Sequence, residues 1–253
     1  MKPYLLEERE QGCLLFTINR PEKRNAINFD VMDGLSEAIN RTKKPGVKAL
    51  IITGAGEDAF SSGGDLSIFH QLKTEEEAYG MLSKMSNILY RLLTLPKPTI
   101  ALINGTAVGG GCELAAACDF RIAKKGQKAG FIQGSLAITT GWGGGTILFE
   151  KLLAGNALKI LMESRLFSVE ELADFGFIDH IYDGDREEIC DVFLRKILSL
   201  ETEVLTAYKN MLIRKWTESG LQQRIEEEVR KCAVLWEKDV HHELVAKFLE
   251  RKS

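Results

Sequence analysis

Apolar and polar positions divide the chain into alternating strand-like and helix-like runs. Cys13-Leu14-Leu15-Phe16-Thr17-Ile18 is a short, β-prone apolar run, closed by the turn-rich NRPEKRN. Across 29–44 the apolar residues Val31, Met32, Leu35, Ala38 and Ile39 recur at helical spacing. Val47 to Thr53 reads as a buried strand ended by GAGEDAFSSGGD, and 75–95 as a second amphipathic helix stopped by LPKP. Proline ends it because it lacks an amide donor and restricts the residue before it. Thr99 to Ile103 predicts a further strand, Cys112 to Cys118 a buried helix, and Phe120 to Ala123 another strand. From Leu148 the pattern is mainly helical, with an outer or interface helix over 220–251.

Strands alternating with helices predict an α/β domain with mostly parallel pairing, since parallel neighbours need a crossover between them. No linker or internal repeat interrupts the 253 residues, so one α/β domain with a helical C-terminal extension is expected.

Composition narrows the function more than the fold. A net charge of −3 gives no basic surface for nucleic acid. No run reaches the ~18 apolar residues of a membrane span. The charged MKPYLLEEREQG lacks the apolar core of a signal peptide. The five cysteines (Cys13, Cys112, Cys118, Cys190, Cys232) are scattered without CxxC spacing, as expected of reduced thiols. His70, His180, His241 and His242 form no metal-ligand pattern. A cytoplasmic protein without metal, membrane or nucleic-acid partner is the expectation.

Three glycine-rich loops carry the candidate chemistry. FIQGSLAITTGWGGGT, 131–146, lacks the lysine of a Walker loop, and Thr146 stands where a dinucleotide fingerprint needs its last glycine. NGTAVGGGCEL, 104–114, joins a strand to a helix, which places Gly109, Gly110 and Gly111 at a helix N-terminus with unpaired amides. Such amides suit an oxygen that gains negative charge. Glu113 follows inside the apolar CELAAAC, although the dipole alone also favours a first-turn acid. AFSSGGDLSIF, with Gly63 and Gly64, follows the strand VKALIIT. Two exposed-amide loops at neighbouring strand ends would converge on one oxygen.

NRPEKRNAIN, AFSSGGDL, GTAVGGGCELAAACDFRIA and the closing FLERK, in this order across nearly the whole chain, resemble the enoyl-CoA hydratase/isomerase (crotonase) superfamily. The resemblance implies a ββα spiral with a helical C-terminal region that builds a trimer, often a dimer of trimers. On that basis 1–195 would be the spiral core and 196–253 the trimerisation region. It implies an acyl-CoA thioester substrate, with CoA part of the substrate and no separate cofactor. It makes Gly64 and Gly110 the oxyanion donors and Glu113 the first catalytic acid. Lys23, Arg24 and Ala26 would line the CoA nucleotide and pantetheine, and Ser62, Asp65 and Leu66 the acyl thioester. Arg251 and Lys252 would reach a neighbouring subunit's CoA phosphates.

Hydratases of this family use a second glutamate, in a segment similar to F-G-x-P-E before the glycine-rich turn. Counting forward from Phe131 puts it at Ser135, and counting back from Thr146 at Gly134. No Asp or Glu lies between Asp119 and Glu150. A serine cannot shuttle a proton as a carboxylate does at neutral pH. Enolate formation by loss of CO₂ needs less, and AITTGWGGGT, with Trp142 before the glycines, resembles a decarboxylase branch of the family. Decarboxylation of a methyl- or ethylmalonyl-type CoA and atypical hydration of an enoyl-CoA both stay open, as does a catalytically silent acyl-CoA-binding protein.

Overall fold

A computed structural model describes residues 2–250 of the protein, apart from the side chains of 187–191. Arg251 and Lys252 therefore lie outside the described residues, as does the Cys190 side chain. In chain order, β1 (Tyr4–Arg9) and β2 (Cys13–Ile18) form a hairpin followed by α1 (Phe29–Thr42). Next come β3 (Ala49–Gly54), β4 (Ala59–Ser61), α2 (Leu66–Phe69) and α3 (Glu75–Leu93). Then follow β5 (Thr99–Ile103), β6 (Thr106–Val108), α4 (Gly110–Ala117), β7 (Phe120–Lys124) and β8 (Lys128–Gly130). The remainder is α5 (Gly144–Lys151), α6 (Ala154–Glu163), β9 (Phe167–Ser168), α7 (Val169–Asp174), β10 (His180–Tyr182), α8 (Arg186–Leu198), α9 (Thr202–Glu218), α10 (Leu221–Trp236) and α11 (Asp239–Glu250).

The long strands form one sheet in the order β1-β2-β3-β5-β7-β10, parallel from β2 onward. The short strands form a second sheet, β4-β6-β8-β9. Each of β3, β5 and β7 passes directly into its short partner β4, β6 or β8, which is the ββα spiral the motifs implied. The sequence pattern missed the second sheet because strands of two or three residues are too short for any periodicity.

Two buried asparagines hold the spiral's turns. Asn104 Oδ1 accepts from the Gly54 amide and Thr53 Oγ1 (both 3.1 Å), and its Nδ2 donates to Gly56 O (2.7 Å). Asn25, in the left-handed region at φ 54°, donates from Nδ2 to Ala55 O (2.9 Å) and Ala59 O (2.7 Å). Buried amide groups paired this fully fix where the strands end, because leaving one unpaired would cost about 1–3 kcal/mol.

The final helical run breaks at Glu237-Lys238 into α10 and α11. Leu221, Ile225, Val229, Cys232 and Trp236 share one face of α10 and are buried against α3 and α5. That stripe, expected on an outer helix, thus belongs to the protein's own core, each side chain contributing roughly 1.5–3 kcal/mol. Among the described residues no helix is long and apolar enough to cross a membrane.

Candidate active site

The two exposed-amide loops meet. The Ile27 N–H donates to Gly63 O (2.8 Å) and the Asp65 N–H to Ile27 O (3.0 Å), so the Gly64 N–H between them faces the other way. Gly63 adopts φ +85°, and a Cβ there would lie 2.9 Å from both the Gly110 nitrogen and Val108 O. A Cβ on Gly111 would stand 2.4 Å from Ser61 O. Only glycine allows this approach. Gly63, Gly109 and Gly111 are buried, whereas Gly64 and Gly110 keep access to solvent. Both lie against the Trp142 ring.

Gly110 opens α4, so its N–H adds the positive end of the helix dipole. The opposite end of α4 is held by three cations. Lys151 Nζ donates to Ala116 O (2.7 Å), Arg121 to Cys118 O (2.9 Å), and Lys209 pairs with Asp119. Burial and the neighbouring Arg121 push the Lys151 ammonium down to about 7, against the pull of Asp119.

Glu113, one turn into α4, is 2% exposed. Its Oε2 accepts from the Trp142 and Gly144 amides (both 2.9 Å). Its Oε1 accepts from Gln133 Nε2 (2.8 Å) and from the Gly141 amide (3.4 Å). The glycine-rich 141–144 turn therefore serves as an anion clamp for a protein carboxylate rather than for a phosphate. A Cβ on Gly144 would lie 2.4 Å from Glu113 Cγ. Burial and the charge of Glu228 push the Glu113 carboxyl up to about 7, although the three amides pull the other way. At neutral pH the group can both give and take a proton.

The indole of Trp142 lies across both amide-bearing glycines. A Cβ on Gly110 would lie 2.2 Å from its Cζ3, and one on Gly64 3.5 Å from its Cζ2. Trp142 is 4% exposed and forms an apolar wall beside Gly64 and Gly110.

Asp65 caps α2 and spends its oxygens on Ser67 and Arg20 (2.7 Å), so it braces the loop. Burial opposes its charge, but the hydrogen bonds from Ser67 and Arg20 and the Arg20 charge outweigh it and hold the carboxyl below its ordinary value. Lys23 and Arg24 are exposed, Ala26 is buried, and Leu66 and Ser62 are half-buried. Ser62 Oγ donates to Lys23 O (3.4 Å) and the Ser62 amide to Arg24 O (3.0 Å), which ties these two segments together. Ser135 is exposed, and its Oγ donates to Ile132 O (2.6 Å).

Two residues in contact with this site escaped the sequence reading. Gln133 faces Glu113 from the acid-free segment, and its Oε1 is buried without a hydrogen bond. Glu228, on α10, accepts from Thr140 Oγ1, the Gly145 amide (3.1 Å) and the Thr146 amide (2.6 Å). Its helical spacing from buried Ile225 and Cys232 was the available signal. Among the described residues no three His, Cys, Asp or Glu side chains are grouped to hold a metal.

The sequence profile of the enoyl-CoA hydratase/isomerase family matches residues 8–253. An ethylmalonyl-CoA decarboxylase of Xenopus tropicalis is 32% identical over 230 residues, covering 89% of this chain and 75% of that protein. A crotonyl-CoA hydratase of Syntrophomonas wolfei is 36% identical over 180 residues, covering 70% of this chain and 68% of that protein. The crystal structure of an enoyl-CoA hydratase/isomerase from Xanthobacter autotrophicus superposes with a TM-score of 0.89 at 25% identity, covering 99% of this chain and 95% of that one.

Proposed function

The chain belongs to the enoyl-CoA hydratase/isomerase family, and on that premise we propose that it decarboxylates a malonyl-type acyl-CoA, of the methyl- or ethylmalonyl class. The observation that carries this reading is Gln133: the side chain that hydrogen-bonds Glu113 (2.8 Å) is a neutral amide, not a second carboxylate. Hydration needs one group to take a proton from water and another to serve the α-carbon. An amide can do neither. The similarity to ethylmalonyl-CoA decarboxylases supports the same choice.

In this reading the thioester oxygen accepts hydrogen bonds from the Gly64 and Gly110 amides. The apolar face of Trp142 strips water from the substrate carboxylate, which weakens the ground state relative to neutral CO₂ and a delocalised enolate. The carbon–carbon bond breaks, its electron pair passes into the enolate, and the oxyanion charge settles between the two amides. Glu113 in its neutral form then delivers a proton to the α-carbon and is reprotonated from solvent. A neutral Glu113 also avoids repelling the incoming carboxylate, so its raised pKa serves both steps.

Atypical hydration is the second reading, supported by the crotonyl-CoA hydratase relative and by an acid titrating near 7. For assembly we propose a homotrimer or homohexamer in the cytoplasm. Exposed Leu153 and Met162 about α6, and Tyr208 and Met211 on α9, are the surfaces it would cover.

The test is turnover of ethylmalonyl-CoA in D₂O, followed by mass spectrometry of the product. The expected product is butyryl-CoA carrying one deuterium at the α-carbon, with one CO₂ released per turnover. Unchanged ethylmalonyl- and methylmalonyl-CoA after prolonged incubation would sink the proposal, and if Glu113→Gln also altered no other activity, a silent acyl-CoA-binding protein would replace it.

A further inference from the structure

We propose that Glu228 is a positioning residue for Glu113: the two carboxylates are held on opposite sides of the α5 N-terminus by successive amides of one glycine turn, and neither ionises independently of the other. The inference rests on the functional reading only in taking Glu113 as the proton-handling group.

The geometry is that of one clamp with two jaws. Gly144, the first residue of α5, donates its N–H to Glu113 Oε2 (2.9 Å). The next two amides, Gly145 (3.1 Å) and Thr146 (2.6 Å), donate to Glu228. Thr140 closes the loop from the other side. Its Oγ1 accepts from the Gly145 amide (3.1 Å) and donates to Glu228. The turn that supplies three amides to Glu113 is thus pinned at its base by Glu228, a residue from α10. A helix start has only about four free amides, and here two acids from distant parts of the chain share them.

Among the described residues no cation forms an ion pair with either carboxylate. On α10, Arg224 is committed to Glu150 of α5 (2.7 Å) and Arg230 to Glu226 (2.7 Å). From α3, Tyr79 donates to Glu226 and Lys84 pairs with Asp33. Lys151 is at the far end of α5, bound to the α4 carbonyls. On α11, His241 contacts Leu136 O (2.7 Å). A further titratable neighbour is the Cys232 thiol, which burial and both glutamates push up, so it stays neutral. Burial raises the Glu228 carboxyl as well, against the hydrogen bonds from Thr140, Thr146 and Gly145. Two acids in this arrangement titrate as a pair, loss of the first proton making the second harder to remove.

The hydrogen-bonded amides supply the readout, since the Gly144 N–H reports Glu113 and the Thr146 N–H reports Glu228. Their NMR shifts are followed against pH in the wild-type protein, Glu228→Gln, Glu228→Asp and Glu113→Gln, without substrate. Glu228→Gln is expected to lower the upper midpoint seen at Gly144 by about one pH unit or more, and Glu113→Gln to lower that seen at Thr146 by the same amount, as linkage requires. Glu228→Asp keeps the charge and should hold the Gly144 midpoint close to wild type even where thermal stability falls. An unmoved Gly144 midpoint in Glu228→Gln overturns the proposal and leaves Glu228 a structural cap. Should that variant not fold, an unmoved Thr146 midpoint in Glu113→Gln overturns it equally. Because no acyl-CoA enters the measurement, an error in the substrate assignment would leave this result unchanged, and D₂O turnover would expose that error separately.

Discussion

Replacing Glu113 with glutamine removes one ionisable group while keeping its size, and the structure fixes what should follow. The carboxyl is fully enclosed and its pKa rises from 4.5 to about 7, chiefly through burial and then through Glu228. At about 1.4 kcal/mol per unit, the native state pays about 3 kcal/mol to hold the charged form. The folded pKa lies above the unfolded one, so the native state binds this proton more tightly. Its contribution to stability is complete below about pH 4.5 and is lost as pH rises through about 7. Urea unfolding of wild type and Glu113→Gln at a series of pH values measures this directly. The wild type is expected to lose about 3 kcal/mol relative to the variant between pH 4.5 and 8. The variant carries its own fixed penalty, since its –NH₂ must face an amide donor whichever way it turns. That penalty does not vary with pH. A wild-type-to-variant difference constant across the range would refute the claim that Glu113 is a buried acid poised near neutrality. The same titration sets turnover: if neutral Glu113 delivers the proton, kcat/KM is flat below about pH 7 and falls above it, and Glu113→Gln lowers it about 10²–10⁴-fold.

Gly110→Ala would drive a Cβ into the Trp142 ring, and a loss of about 1–3 kcal/mol in stability is expected, with turnover reduced about 10²–10³-fold; in a Trp142→Ala background the same substitution should cost little further stability but still lower the rate. Gly144→Ala places a Cβ 2.4 Å from Glu113 Cγ, so kcat should fall without any change in charge, while binding of a non-reactive acyl-CoA analogue is retained. Gln133→Glu supplies the missing second carboxylate, and crotonyl-CoA hydration measured by loss of the enoyl absorbance should rise by about 10²-fold as decarboxylation falls; no gain in hydration would mean that the residue opposite Glu113 does not select the reaction.

The sequence made the local features legible and hid those that depend on long-range placement. The strands at 13–18 and 99–103, the helix starting at Phe29 and the Gly110 helix start came from periodicity and glycine punctuation, and the coordinates agree with them. The close approach of the Gly63-Gly64 and Gly109-Gly111 loops followed from placing two such loops at neighbouring strand ends. Counting from motif edges could not show which residue of 131–136 meets Glu113, because that depends on how the short turn Gln133–Leu136 orients the segment. It turns Ser135 to solvent and brings Gln133 inward. Glu228 was hidden for another reason. A glutamate in an EEE run reads as a solvated helix face, and only the packing of α10 on α3 and α5 carries it to the glycine turn.

The central claim is that this site forms its enolate by losing CO₂. It is tested most directly by offering ethylmalonyl-CoA and crotonyl-CoA to the same enzyme preparation and comparing kcat/KM for CO₂ release and for hydration. Decarboxylation is expected to exceed hydration by at least about 10²-fold, the contribution of one missing acid–base group. Crotonyl-CoA hydration faster than CO₂ release would contradict the account.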